Sequence, residues 1–166
     1  MKIFLVGLSG SGKTTLGQQL AEVLQIPFVD MDWEIEKREG KSVKQIFSDH
    51  GEDHFRQIES QVLREWAGVA SDFVMGTGGG APFFYKGMEI INNSGISVFL
   101  DVPIETILRR LASATDRPLL NGNKEFEKEV KLRSLLKERL PIYNRAHFIL
   151  QDPTLDQLVQ ALKLKR

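Results

Sequence analysis

The chain has 166 residues, 42% hydrophobic and 27% charged, the balance of an ordinary soluble globular protein of about one domain. Its 22 Lys and Arg match its 22 Asp and Glu, so the basic excess of a duplex nucleic-acid binder is missing. Having no cysteine, it cannot be a disulfide scaffold, an Fe–S protein, a Cys-based zinc protein or a thiol-nucleophile enzyme. A reducing cytoplasm is compatible with this composition. Residues 2–8 are apolar but too short for a signal segment, and no stretch approaches the ~20 apolar residues of a membrane span. The Lys163-Leu164-Lys165-Arg166 ending reads as a solvated helix end.

In chain order, Ile3 to Val6 reads as a buried strand, followed by a glycine loop. Leu16, Leu20, Val23 and Leu24 then recur at helical spacing. Pro27 to Val29 reads as a second strand, ending at Asp30-Met31-Asp32 with both aspartates on one strand face. Ser42-Val43-Lys44-Gln45 is a capping-box pattern opening a helix through Ile46 and Phe47. Glu52 to Trp66 places Phe55, Ile58, Val62 and Trp66 on one helical face. Phe73 to Met75 is a third strand, running into Gly76-Thr77-Gly78-Gly79-Gly80, and Ser97 to Val102 a fourth. Ile104, Ile107, Leu108 and Leu111 mark a helix, and Ala112 to Lys124 reads as a surface loop. Phe126 to Leu140 is helical, interrupted by Pro141. His147 to Leu150 is a fifth strand, and a helix from Pro153 to Leu162 closes the chain. Continuous apolar strands alternating with helices predict a parallel sheet covered on both faces. Ligands of such sheets sit at the strands' carboxyl ends, where most of the unusual loops fall.

Gly7-Leu8-Ser9-Gly10-Ser11-Gly12-Lys13-Thr14 matches G-x-x-x-x-G-K-[ST] between a strand and a helix, the context this motif requires. Small residues let consecutive N–H groups curl around phosphate oxygens, and the next helix adds its positive end. Lys13 can reach the β- and γ-phosphates, and the Thr14 hydroxyl can hold Mg²⁺. The loop alone leaves GTPases, motors, small-molecule kinases and nucleotide sensors open. A 166-residue chain leaves little room for a motor or transporter. A GTPase should carry N-K-x-D, but here Asn123-Lys124 is followed by Glu125 and Phe126. The acidic Asp30-x-Asp32 and the triple glycine suggest a second small substrate beside the γ-phosphate.

From about Lys2 to Ala146 the chain resembles the shikimate kinase family, within the nucleoside-monophosphate-kinase-like branch of P-loop folds. The motifs that carry this begin with the phosphate loop, Asp30-Met31-Asp32, Ile35-Glu36 and the stretch Gly40 to Phe47. They continue with Gly51-Glu52, Phe55-Arg56-x-x-Glu59, Gly78-Gly79-Gly80, Asp116-Arg117-Pro118-Leu119-Leu120 and Arg139-x-Pro141-x-Tyr143. The resemblance implies a three-layer α/β/α fold with a five-stranded parallel sheet, forming one kinase domain over 1–166. It further implies a substrate-binding helical region at about 33–61 and a mobile lid at about 112–124. The implied reaction moves the γ-phosphate of ATP, with Mg²⁺, to the 3-hydroxyl of shikimate, a step of aromatic amino-acid biosynthesis. A cytoplasmic monomer with no nucleic-acid or membrane partner is expected. Rival readings are another small-molecule kinase of this branch, with a gluconate-like or nucleotide-monophosphate acceptor, or a regulator that binds ATP without catalysis.

By that resemblance, Arg56 and Arg139 clamp the carboxylate of shikimate, a task suited to bidentate guanidinium groups. Glu59, three residues after Arg56 on a helix, is placed to hold that guanidinium. Asp32 is the candidate partner of the reacting hydroxyl, as base or as orienter. Asp30 is placed near Mg²⁺ beside Thr14, and Gly78, Gly79 and Gly80 against the shikimate hydroxyls and the γ-phosphate. Arg117, from the lid, would neutralise transferring charge. Gly10, Ser11, Gly12, Lys13, Thr14 and Thr15 would bind ATP, with Arg110 and the Gln151-Asp152-Pro153 loop bordering the adenine. Trp33 is read as cover for the core, and Tyr143 as a packing or hydrogen-bonding residue near Arg139. His50, His54 and His147 lack metal-ligand spacing and read as structural or surface residues.

Overall fold

The apolar runs become strands β1 (Lys2–Val6), β2 (Phe28–Asp30), β3 (Phe73–Gly76), β4 (Ile96–Asp101) and β5 (Phe148–Gln151). They are seen in a computed structural model that describes residues 1–114 and 122–163. The strands are all parallel, in the order β2-β3-β1-β4-β5. Ile3 of β1 pairs with Val74 of β3 on one side and Ile96 of β4 on the other. Every residue of β3, and all of β1 beyond Lys2, is buried, as a sheet covered on both faces requires. Helices α1 (Lys13–Leu24) and α7 (Leu155–Lys163) pack on each other. So do α3 (Val43–Gly68) and α4 (Gly87–Ser94), completing three α/β/α layers. The aromatic centre of the core is edge-to-face: Phe73 meets Phe4 at 5.5 Å and Trp66 at 5.3 Å. No helix among the described residues is long and apolar enough to cross a membrane.

The capping box forms as its sequence predicts. Gln45 N–H donates to Ser42 Oγ at 3.1 Å, and Ser42 N–H donates to Gln45 Oε1 at 3.1 Å. The helix it opens is broken at Gly51, whose φ of 83° no helix accommodates, so the two expected helices share one segment with a kink.

Three expectations change. The second strand does not carry both aspartates on one face. It ends at Asp30, and α2 (Met31–Glu39) begins at once. Asp30 is the N-cap, its Oδ1 accepting from Trp33 N–H at 3.2 Å, while Asp32 lies in the first helical turn. Both still face one cleft, but a helix start brings them there rather than strand alternation. Second, Pro141 does not interrupt α6 (Gly122–Tyr143). Near a helix end the missing N–H costs one bond, and Asn144 N–H still reaches Leu140 O at 2.9 Å. Third, Pro153 precedes α7 rather than opening its first turn. The cap is Thr154, which exchanges side-chain to backbone bonds with Gln157. Helix α4 had no counterpart in the sequence reading. Of the expected loop over residues 112–124, residues 112–114 end α5 (Ile104–Ala114) and 122–124 begin α6.

Candidate active site

The phosphate loop joins β1 to α1 at the carboxyl edge of the sheet. It turns through Gly7, Gly10 and Gly12 at φ of 147°, 82° and 95°, values that side-chain-bearing residues rarely adopt. Gly12 caps α1 without a side chain, leaving the helix's first N–H groups open to the cleft. This cradle fits a polyphosphate. Lys13 Nζ donates to Gly7 O and Leu8 O, each at 2.8 Å, arching over the loop. Burial lowers its pKa from 10.5 to about 8, against the pull of the Asp32 and Asp30 carboxylates.

Across the cleft, Thr14 Oγ1 donates to Asp30 Oδ2 at 3.0 Å. A hydroxyl and a carboxylate so close, both hard oxygen donors, fit Mg²⁺ completed by water and phosphate. Desolvation raises the pKa of Asp32, Asp30 adds repulsion, and Lys13 opposes both. Lys13, Thr14, Thr15, Asp30, Asp32, Gly78, Gly79 and Arg110 line one cleft of about 380 Å³, together with Gly10 and Gly12. Ser11 lies beneath the loop, buried, its Oγ without a hydrogen-bond partner among the described residues.

The glycine triplet follows β3, and none of its three glycines has a positive φ. These residues are small for want of space, not for want of backbone freedom. A Cβ at Gly78 would stand 2.5 Å from Glu59 Oε2 and 3.5 Å from Asp32 Oδ1. One at Gly79 would stand 3.1 Å from Arg139 Nη1 and 3.6 Å from the Ser9 amide nitrogen. One at Gly80 would collide with the Arg56 guanidinium, 2.6 Å from Cζ. The loop is therefore the meeting place of α3, α6, α2 and the phosphate loop.

Arg56 is held on several sides. Nη1 donates to Glu59 Oε1 at 2.9 Å, and Nε and Nη2 face Glu52 Oε1 at 3.4 Å. Its Cζ lies 4.3 Å from the centre of the Phe84 ring and 5.3 Å from that of Phe55. Glu59 is buried, which raises its pKa, and the Arg56 cation counters this. Arg139 comes from α6 with Tyr143 one turn further on; the Tyr143 hydroxyl donates to Gly79 O at 2.5 Å. Arg110 of α5 bridges the phosphate loop and the turn after β5, with Nη1 3.3 Å from Gly10 O and Nη2 3.2 Å from Asp152 Oδ1. Pro153 is buried and does not line the cleft.

Arg117 lies outside the described residues. Trp33 is 54% exposed and packs edge-on against Phe28, the first residue of β2, at 6.4 Å, so it covers the core only in part. His147 Nδ1 accepts from Ser97 N–H at 3.1 Å, and His50 and His54 meet at the surface with tilted rings, centres 4.6 Å apart. Phe84 over Arg56 escaped sequence reasoning: nothing local announces a contact between residues 28 positions apart.

A phosphate cradle at the head of α1, a lysine arched over it and two carboxylates where β2 passes into α2 define a class. It is that of ATP-binding P-loop phosphotransferases with a nucleoside-monophosphate-kinase-like fold. Comparison with known proteins narrows this. The family model for Shikimate kinase matches residues 9–163. Shikimate kinase of Bacteroides fragilis YCH46 is 45% identical over 150 residues, covering 90% of this chain and 83% of the relative. The crystal structure of shikimate kinase from Bacteroides thetaiotaomicron has a TM-score of 0.88 at 40% identity, covering 99% of this chain and 97% of that one. Shikimate kinase from Acinetobacter baumannii, solved in complex with shikimate, has a TM-score of 0.87 at 37% identity, covering 99% and 94%. The chain belongs to the shikimate kinase family. It is an enzyme with that family's activity, transfer of the γ-phosphate of ATP to shikimate.

Proposed function

We propose that the acceptor atom is the 3-hydroxyl of shikimate and that Asp32 aims it at the γ-phosphate. Arg56 and Arg139 hold the carboxylate, and the Gly78-Gly79-Gly80 backbone bounds the ring. The observation that carries this assignment is the convergence of guanidinium groups from two separate helices on the glycine triplet, beside Asp32. Shikimate offers one carboxylate and three hydroxyls, and this wall matches it with paired cations at one end and a carboxylate at the other.

The hydroxyl oxygen forms the new bond to phosphorus as the bond from phosphorus to the β-phosphate oxygen breaks, and ADP leaves. Burial and Asp30 make Asp32 more basic than a free carboxylate, which suits accepting the hydroxyl's proton. Lys13 and the loop amides stabilise charge on the phosphate oxygens. Gly10, Ser11, Gly12, Thr14 and Thr15 shape the ATP cradle, and Arg110 borders the nucleoside near the turn holding Pro153. Thr14 and Asp30 would hold Mg²⁺, which when bound neutralises β- and γ-phosphate oxygens. Arg117 supplies a further cation to the transferring group. We read the enzyme as a cytoplasmic monomer of one domain, its acceptor region at about 33–61 and its lid at about 112–124.

The test is ADP release measured with shikimate, quinate, gluconate and AMP as acceptors. Turnover with shikimate alone, giving the 3-phosphate by NMR, supports the assignment. Phosphate on another hydroxyl overturns the proposed role of Asp32, and turnover only with a different acceptor overturns the clamp.

A further inference from the structure

Tyr143 is fully buried, yet it is polar and touches the wall of the acceptor site. It closes α6, and Arg139 sits one turn earlier on the same helix, so the two side chains project alike. Both converge on Gly79. The Tyr143 hydroxyl donates to the Gly79 carbonyl at 2.5 Å, and Arg139 Nη1 lies 3.1 Å from where a Gly79 Cβ would be. The same position abuts the phosphate loop, with Gly7 O at 3.5 Å. The Tyr143 ring packs on Phe99 of β4, centres 4.9 Å apart, while the hydroxyl itself is held by the Gly79 carbonyl.

A trans peptide is planar, so its C=O and the next N–H point in opposite directions. Tethering the Gly79 carbonyl to Tyr143 therefore turns the Gly80 N–H away from α6. Glycine resists such orientation least, and three in succession leave the loop without side chains to fix it. Burial raises the phenol's pKa and the Arg139 guanidinium, by charge and hydrogen bonding, pulls it back; the group stays a donor at neutral pH.

We propose that Tyr143 is a positioning residue: its hydroxyl locks the Gly79–Gly80 peptide in register with Arg139, so that the acceptor meets a preformed wall. This rests on the assignment of Arg139 and the glycine triplet to acceptor binding. It adds a residue that does not itself line the cleft.

The test is steady-state kinetics of Tyr143→Phe, which keeps the ring, its burial and its contact with Phe99. The KM for shikimate should rise roughly 2- to 10-fold, the equivalent of one hydrogen bond, with the KM for ATP changed less than about 2-fold. Phe99→Leu serves as the packing control, keeping the hydroxyl and its bond to Gly79 O while thinning the packing under the ring. It should lower Tm and leave the shikimate KM within about 2-fold of wild type. The proposal is overturned if Tyr143→Phe leaves the shikimate KM unchanged, if both substrates weaken equally, or if Phe99→Leu reproduces the acceptor defect. Arg139→Ala separates the two layers of inference. If it raises the shikimate KM while Tyr143→Phe does not, only the positioning role fails. If it leaves that KM unchanged, the acceptor assignment falls, and the proposal with it.

Discussion

Gly80→Ala adds one methyl group to the wall of the acceptor site. The backbone there has no positive φ, so alanine brings no conformational strain. What it meets is Arg56, with Cζ at 2.6 Å and Nη2 at 2.8 Å from the new carbon. Ordinary contact needs about 3.5 Å, so the guanidinium must retreat by roughly 1 Å. That retreat is resisted, because Glu59 holds Nη1 at 2.9 Å from within the core and the Phe84 ring covers the group at 4.3 Å. A displacement of this size at a positioning group costs on the order of 10²-fold, or about 2.7 kcal/mol of transition-state stabilisation. We therefore expect kcat/KM for shikimate to fall about 100-fold, with the KM for ATP nearly unchanged. The assay is coupled ADP release with each substrate varied at saturation of the other, alongside circular dichroism to verify the fold. A folded Gly80→Ala enzyme with kcat/KM for shikimate within about 2-fold of wild type would refute the claim that this glycine exists to seat Arg56.

Other perturbations follow the same logic. Asp32→Asn removes the proton acceptor while keeping the shape, so kcat should drop by ~10²–10⁴ with ATP affinity preserved; equilibrium binding of an ATP analogue checks the second half. Lys13 titrates near pH 8, below its usual 10.5, so ATP KM should climb as pH rises through about 8 and the cation is lost. In stability the sign reverses. Between about 8 and 10.5 the unfolded chain holds this proton and the folded one has shed it, so Lys13's contribution favours folding increasingly with pH. Lys13→Met should flatten both trends, in pH-dependent kinetics and in denaturant melts. Gly17→Ala pits a helix-propensity gain of ~1 kcal/mol against a methyl driven into the Phe28 ring, with Leu5 Cδ1 also at 3.3 Å. We expect overpacking to win by about 1 kcal/mol; a raised Tm would contradict that.

The features readable from sequence are those whose geometry is local. The phosphate loop needs only glycines at positions of positive φ and a helix behind them, and all of it lies within residues 7–14. The capping box spans four residues, and five apolar runs were enough to predict a covered parallel sheet. Where local signals competed, the reading slipped. Asp30 and Asp32 suit a strand end or a helix start equally, and the capping bond to Trp33 N–H decided for the helix. Pro141 looked like a stop, but the burial of Tyr143 two residues later keeps the backbone helical to that point.

Sequence by itself determined the nucleotide end of this protein, because contiguous backbone makes a phosphate cradle wherever it is placed. The acceptor end was settled in three dimensions. The pairing of β3 with β1 puts the end of β3 beside the phosphate loop, and helix packing around it delivers Arg56, Glu59, Arg139 and Tyr143 to the same three glycines. Those contacts join residues from 19 to 64 positions apart, and the reason for each glycine, lack of space rather than need of an unusual φ, exists only once its neighbours have arrived.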